Sequence, residues 1–107
     1  MKQIKMTDLK DIESFKKFGE TFTKIEADDT HHIYVFKREK KYPGHIKVSY
    51  EVVKGVKYKN YDRKEVFIYP QSERFGLYGF YIFGPEDYCR KRIEYRKECL
   101  YKRGEDN

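Results

Sequence analysis

From Ile46 to Val52 the chain alternates without interruption. Ile46, Val48, Tyr50 and Val52 are apolar or aromatic, and Lys47, Ser49 and Glu51 between them are polar. A period of two belongs to an extended strand, whose successive side chains leave opposite faces. The pattern predicts a strand with one buried face and one wet face, and therefore a sheet with a partner layer.

The flanking segments supply the rest of that sheet. Thr21 to Ala27 carries the β-branched residues Thr21, Thr23 and Ile25 and reads as a strand. Asp28-Asp29-Thr30 is a turn, and His31 to Arg38 is a second strand holding Ile33-Tyr34-Val35-Phe36. Pro43-Gly44 marks the next turn. After the alternating strand, Lys54-Gly55 either closes a hairpin or lets the strand run on through Val56 and Tyr58. Glu65 to Tyr69 is a further strand, ended by Pro70. Phe75 to Phe83 is apolar or Gly on both faces, which predicts a central strand.

Helices are expected at both ends. Thr7 and Asp8 are N-cap residue types, Gly19 is a natural stop, and Leu9, Ile12, Phe15 and Phe18 step by three between them. Near the C-terminus, Gly84 and Pro85 open a helix, Glu86 and Asp87 suit its positive end, and Lys102 and Arg103 suit its negative end before Gly104. The expectation is one α+β domain over residues 1–107. It is a single antiparallel meander of four to five strands, with an N-terminal and a C-terminal helix packed on one face.

Composition then bounds function. The chain has 11 Tyr, 8 Phe and no Trp among 24 Lys and Arg, with a formal net charge of +6. Eleven tyrosines exceed what 107 residues can bury with every hydroxyl paired, so several belong on the surface beside cations. The charge favours an acidic macromolecule, although it also serves solubility. Cys89 and Cys99 lie ten positions apart on one predicted helix, roughly 15 Å along its axis at about 1.5 Å per residue. They cannot bridge within it and read as free thiols of a reducing compartment. Met1-Lys2-Gln3-Ile4-Lys5-Met6 lacks the apolar run of a signal peptide, so none is expected, and no apolar run of the sequence is long enough to span a membrane. A cytoplasmic protein without membrane contact, and a candidate homodimer, is expected.

Three constellations stand out. On the final helix, Tyr88, Tyr95 and Cys99 fall on one side of a stripe and Cys89, Ile93 and Leu100 on the other. Arg92, Arg96 and Arg103 form a column between them. Either one row docks while the arginines pass the sheet edge or stack on Tyr rings, or the column binds an anion through its guanidinium forks. The second constellation is a pair of basic-aromatic loops. One holds Arg38, Lys40, Lys41 and Tyr42; the other holds Lys54, Lys57, Tyr58, Lys59, Tyr61, Arg63 and Lys64. Cations interleaved with rings suit single-stranded nucleic acid, and equally a solvated hairpin. In a plain meander these loops lie at opposite ends of the sheet.

The third is Leu77-Tyr78-Gly79-Phe80-Tyr81-Ile82-Phe83, followed by Gly84-Pro85-Glu86-Asp87. In Tyr78, Gly79, Phe80 and Phe83 it resembles the third strand and following helix of the RNA recognition motif domain. Gly76 and Leu77 stand where that pattern has a basic residue and Gly, and Tyr81 replaces an aliphatic. The family's order is βαββαβ, whereas no strand follows the last helix here, so the chain is not assigned to it.

Catalytic patterns are sparse. Asp28, Asp29, His31, His32 and His45 are the candidate ligands or acids, but adjacent His31 and His32 diverge on a strand. Asp28, Asp29, His31 and His45 around one cavity would favour a small hydrolase. The cysteines lack metal-binding spacing, no phosphate loop appears, and Ser14, Ser49 and Ser72 lie in no nucleophile elbow. The leading expectation is a non-enzymatic binding protein without cofactor or metal. It would hold nucleic acid or an acidic protein surface through Arg92, Arg96, Arg103, Tyr88, Tyr95 and the two loops. The alternative is a stoichiometric protein-protein inhibitor or adaptor of the kind encoded by phages and mobile elements.

Overall fold

A computed structural model describes residues 7–59, 64–71 and 75–104. Among these, β1 (Ser14–Lys17), β2 (Glu20–Asp28), β3 (Ile33–Tyr42), β4 (His45–Lys54) and β7 (Gly79–Ile82) form one antiparallel sheet in the order β1-β2-β3-β4-β7. The strands β5 (Val56–Lys59) and β6 (Glu65–Ile68) pair as a separate hairpin inserted between β4 and β7. The helix α1 (Glu86–Gly104) completes the chain. The architecture is α+β, with sheet predominating.

The sheet is covered on both faces. On one side, Cys89, Ile93 and Leu100 of α1 pack on Ile33, Val35, Val52 and Ile82, with Tyr50, Phe80 and Tyr101 around them. On the other side, Phe22, Tyr34, Phe36 and Val53 meet Leu9, Ile12 and Tyr69, flanked by Phe15 and Phe75. The cover there is irregular chain and a single 3-10 turn, Leu9–Asp11, whose N-cap Asp8 accepts from the Lys10 amide. The other Asp8 oxygen accepts from the Phe67 amide at 3.1 Å and ties this turn to β6.

The expected N-terminal helix is therefore absent, and the two covering layers lie on opposite faces. Its apolar spacing serves another geometry. Leu9 and Ile12 enter the core from the 3-10 turn, Phe15 stacks on Phe22 at 4.6 Å, and Phe18 is 81% exposed. Gly19 is not a helix stop. With φ of 54° at Phe18 and 75° at Gly19, the two make a tight turn that joins paired Lys17 and Glu20, and a left-handed pair suits a two-residue hairpin. Pairing β1 with β2 satisfies the open edge of β2, which local helix propensity cannot do.

Three other expectations change. His31 and His32 belong to the β2–β3 turn, and His32 (φ 61°) stacks on Phe67 at 3.4 Å. The segment before Phe83 yields an edge strand, not a central one, and Tyr81 and Phe83 are about half exposed. The polar side of β4 is not uniformly wet: Ser49 and Glu51 are buried, whereas Ile46 at the strand's start is 51% exposed.

Gly55 sets the exit of the chain from β4. Its amide donates to the His32 carbonyl at 2.7 Å, and a Cβ there would lie 2.6 Å from Phe67 Cβ. No side-chain rotation relieves a contact with a Cβ. Gly55→Ala is expected to cost about 1–3 kcal/mol by overpacking. Urea denaturation checks this; an unchanged midpoint would mean that the hairpin does not seat against Gly55.

Candidate binding surfaces

The side of the sheet away from α1 is dry only over its lower half. Beyond Phe22 and Phe36 the same face turns polar, and its centre is Arg38. The guanidinium donates to Glu20 Oε2 at 2.6 Å and to Glu51 Oε2 at 2.8 Å. It also lies 4.8 Å from the ring centres of Phe22 and Tyr81. Register explains the grouping: Arg38 pairs with Phe22 and Ser49, while Glu51 pairs with Phe36 and Tyr81.

One guanidinium thus serves two carboxylates. Burial pushes the Glu51 carboxyl up to about 7, against the pull of Arg38 and Lys17, and the charge of Glu20 adds to the rise. Arg38 Nε and Glu51 Oε1 are buried without a hydrogen-bond partner among the described residues. A protonated Glu51 would leave the trio balanced, with one positive and one negative group.

Outward from Arg38, directly paired residues share a face, and Lys17, Glu20, Lys40 and Lys47 form one row across four strands. Glu20 is engaged by Arg38. Lys40 and Lys47 oppose each other across β3 and β4, and like charges so placed are destabilising. Each lies near an aromatic ring: Lys40 Nζ is 5.4 Å from the Tyr42 centre and Lys47 Nζ is 4.8 Å from the Phe83 centre. Tyr42 stacks on His45 at 5.0 Å at the tip.

The expected site residues are distributed as follows. Lys40 and Tyr42 join this surface. Lys41 is exposed and falls on the opposite phase of β3. Lys57, Tyr58 and Lys59 lie on β5, at the other end of β4, and Lys57 pairs with Glu65 at 3.3 Å. Tyr61 and Arg63 lie outside the described residues. The two loops do not form one patch.

On α1 the row Cys89, Ile93 and Leu100 docks on the sheet. Tyr88 and Tyr95 are about half exposed. Arg92 lies 4.8 Å from the Tyr95 ring centre, and Arg96 lies 4.2 Å from that of Phe80 and 5.3 Å from that of Tyr95. These arginines pass the packed row and stack on rings, as snorkelling cations do. Arg103 falls in the last turn.

Asp28 and Asp29 act as fasteners. The Tyr101 hydroxyl donates to Asp28 Oδ2 at 2.6 Å, and the Tyr34 hydroxyl donates to Asp29 Oδ1 at 2.8 Å. The Tyr101 bond, with those from His31, holds the Asp28 carboxyl well below the usual carboxylate range. Asp28 and Asp29 line a groove with Lys97 and Tyr101, but His45 lies at the β3–β4 turn. The four residues that would mark a hydrolase do not share a cavity. Among the described residues no group of three or more His, Cys, Asp or Glu is placed to hold a metal ion, and no helix is long and apolar enough to cross a membrane. Cys89 and Cys99 are free thiols.

Sequence reasoning missed Lys47, Tyr81, Phe83 and the Arg38 trio as one surface. Lys47 and Glu51 were legible as the polar phase of one strand. Their neighbours depend on register across strands that no local pattern specifies. The chain matches no family model, no curated protein and no solved structure.

The buried carboxyl makes a pH prediction. Folded, Glu51 keeps its proton to about pH 7, and its ordinary value is 4.5. The native state therefore binds more protons between these values, and stability from this group, complete below 4.5, is lost as pH rises through 7. The loss is about 3 kcal/mol at most. Urea midpoints are expected to fall from pH 5 to pH 8, with a flatter profile in Glu51→Gln. Equal slopes in the two proteins would remove Glu51 as the cause.

Proposed function

We propose that this protein is a small non-enzymatic binding module for an anionic macromolecule, nucleic acid or an acidic protein surface. The principal contact is the β3–β4 end of the sheet, on the side away from α1. The observation that carries this reading is the direct opposition of Lys40 and Lys47 in a row that also holds Lys17. Folding alone gains nothing from two ammonium groups facing each other across a strand pair. An anionic partner turns that repulsion into attraction. The net charge of +6 adds long-range steering of the same sign.

A second reading has its own support. Tyr88 and Tyr95 stand half exposed on α1 with Arg92 against Tyr95. Tyr and Arg are the residue types that dominate protein-protein hot spots, so this helix face suits a stoichiometric inhibitor or adaptor. Salt separates the readings: polyanion binding weakens log-linearly with salt through counterion release, and a Tyr-centred contact responds far less.

Lys40→Ala with Lys47→Ala is expected to weaken binding to a polyanion panel of oligo(dT), heparin and poly-glutamate by about tenfold or more at moderate salt. Lys10→Ala with Lys91→Ala removes the same charge from exposed positions elsewhere and serves as the control. Fluorescence anisotropy measures both. Equal losses would reduce the effect to net charge and sink the localised site.

A further inference from the structure

We infer that the occupant of this surface is single-stranded nucleic acid, with bases stacking on Phe83 and Tyr81 and phosphates lying along Lys47, Lys40 and Lys17. The inference rests on the anionic-partner reading and adds the rings to it. Tyr81 is 47% and Phe83 52% exposed. Tyr81 sits opposite Glu51, on the face that carries Arg38. Phe83 follows two residues later, where Lys47 reaches its ring.

Exposed Phe has no hydroxyl to offer water, so its place beside a lysine needs a reason. Lys47 at the Phe83 ring brings charge and stacking surface within one nucleotide's reach, while the cation beside Tyr81, Arg38, is engaged by Glu20 and Glu51 and holds the ring in place. Single strands are held in this way: cations track the backbone while rings take the bases, each of which has a π-face whatever its identity. A duplex keeps its bases stacked inside and cannot offer those faces. A run of acidic residues alone, such as poly-glutamate, would satisfy the lysines but brings no aromatic face to either ring.

The edge position of β7 supports the same occupant. No strand of the described residues covers its outer side, so a chain of nucleotides can pass over Phe83 and Tyr81 and continue along the lysine row. That row crosses four strands through three intervals of about 4.8 Å, or roughly 14 Å. The path suits a few nucleotides. Glu20, which interrupts it, is already engaged by Arg38 at 2.6 Å.

The test is anisotropy of fluorescein-labelled oligo(dT) of about 12 nucleotides, a length within the known range of small single-strand sites, against a duplex of equal length. The expected result is tighter binding of the single strand. Phe83→Ala is expected to weaken it by roughly fivefold or more, and Phe83→Tyr to keep it. Phe83→Ala should leave the slope of log affinity against log salt unchanged, whereas Lys47→Ala should make it shallower. Urea midpoints of each variant confirm folding, and Phe83 lies outside both packed clusters. Equal affinity for duplex, or Phe83→Ala binding as tightly as the parent, overturns the stacking inference. If Lys47→Ala still weakens binding in that case, the anionic-partner reading survives. If neither variant matters, both fail.

Discussion

The run Ile33-Tyr34-Val35-Phe36 has to be dry on both sides at once. All four residues are within 2% of full burial, and they sit on the middle strand of five. Alternate side chains leave a strand on opposite faces, so Ile33 and Val35 require one cover and Tyr34 and Phe36 another. The helix α1 supplies the first. The N-terminal 3-10 turn, Tyr69 and Phe75 supply the second. Fully burying such side chains stabilises by roughly 1.5–3 kcal/mol each. Among the described residues, the covers come from α1 on one face and from the turn before β1 and the segments around Tyr69 and Phe75 on the other.

The turn Asp28 to His32 ties the helical cover to the sheet. Two consecutive aspartates accept from two tyrosines, Asp28 from Tyr101 of α1 and Asp29 from Tyr34 of β3. Lys97 adds an ion pair to Glu26 at 2.6 Å. Tyr34 is fully buried and Tyr101 half-buried; hydroxyls so placed need acceptors, and a short acidic turn at the end of the sheet supplies both. This placement accounts for acidic residues that otherwise look like candidate metal ligands or catalytic acids.

The covers do not extend to the β3–β4 end. There the face away from α1 passes from Phe22 and Phe36 through the Arg38 trio to the lysine row. A partly buried arginine shared by two carboxyl groups is weak evidence for stability, because desolvation offsets the attraction. Its position between the packed half and the open half is more informative. It fixes Tyr81 beside a guanidinium and engages the carboxylate that would otherwise neutralise Lys40. A surplus of rings and cations in the composition thus divides among packed Tyr34 and Phe36, the α1 face where Arg92 and Arg96 stack beside half-exposed Tyr88 and Tyr95, and the sheet surface with Lys40, Lys47, Tyr81 and Phe83.

Periodicity within a segment was enough for much of the fold. The strand through Ile46 to Val52, the Pro43-Gly44 turn and the C-terminal helix all follow from local spacing and turn chemistry, whereas which row of that helix docks, Cys89, Ile93 and Leu100, was decided by packing. Spacing misled at Leu9 to Phe18, because a step of three also suits a 3-10 turn followed by a hairpin, and the open edge of β2 decided between them. It misled again at Phe83, because an apolar run is silent about whether its strand is central or at an edge. The site belongs to the second kind of information. Arg38 between Glu20 and Glu51, and Lys40 against Lys47, are products of register between strands that are separate in sequence. Local sequence determined most of the segments that extend or coil, Leu9 to Phe18 excepted. Only tertiary pairing decided which charges meet, because those contacts exist once distant strands have aligned and not before.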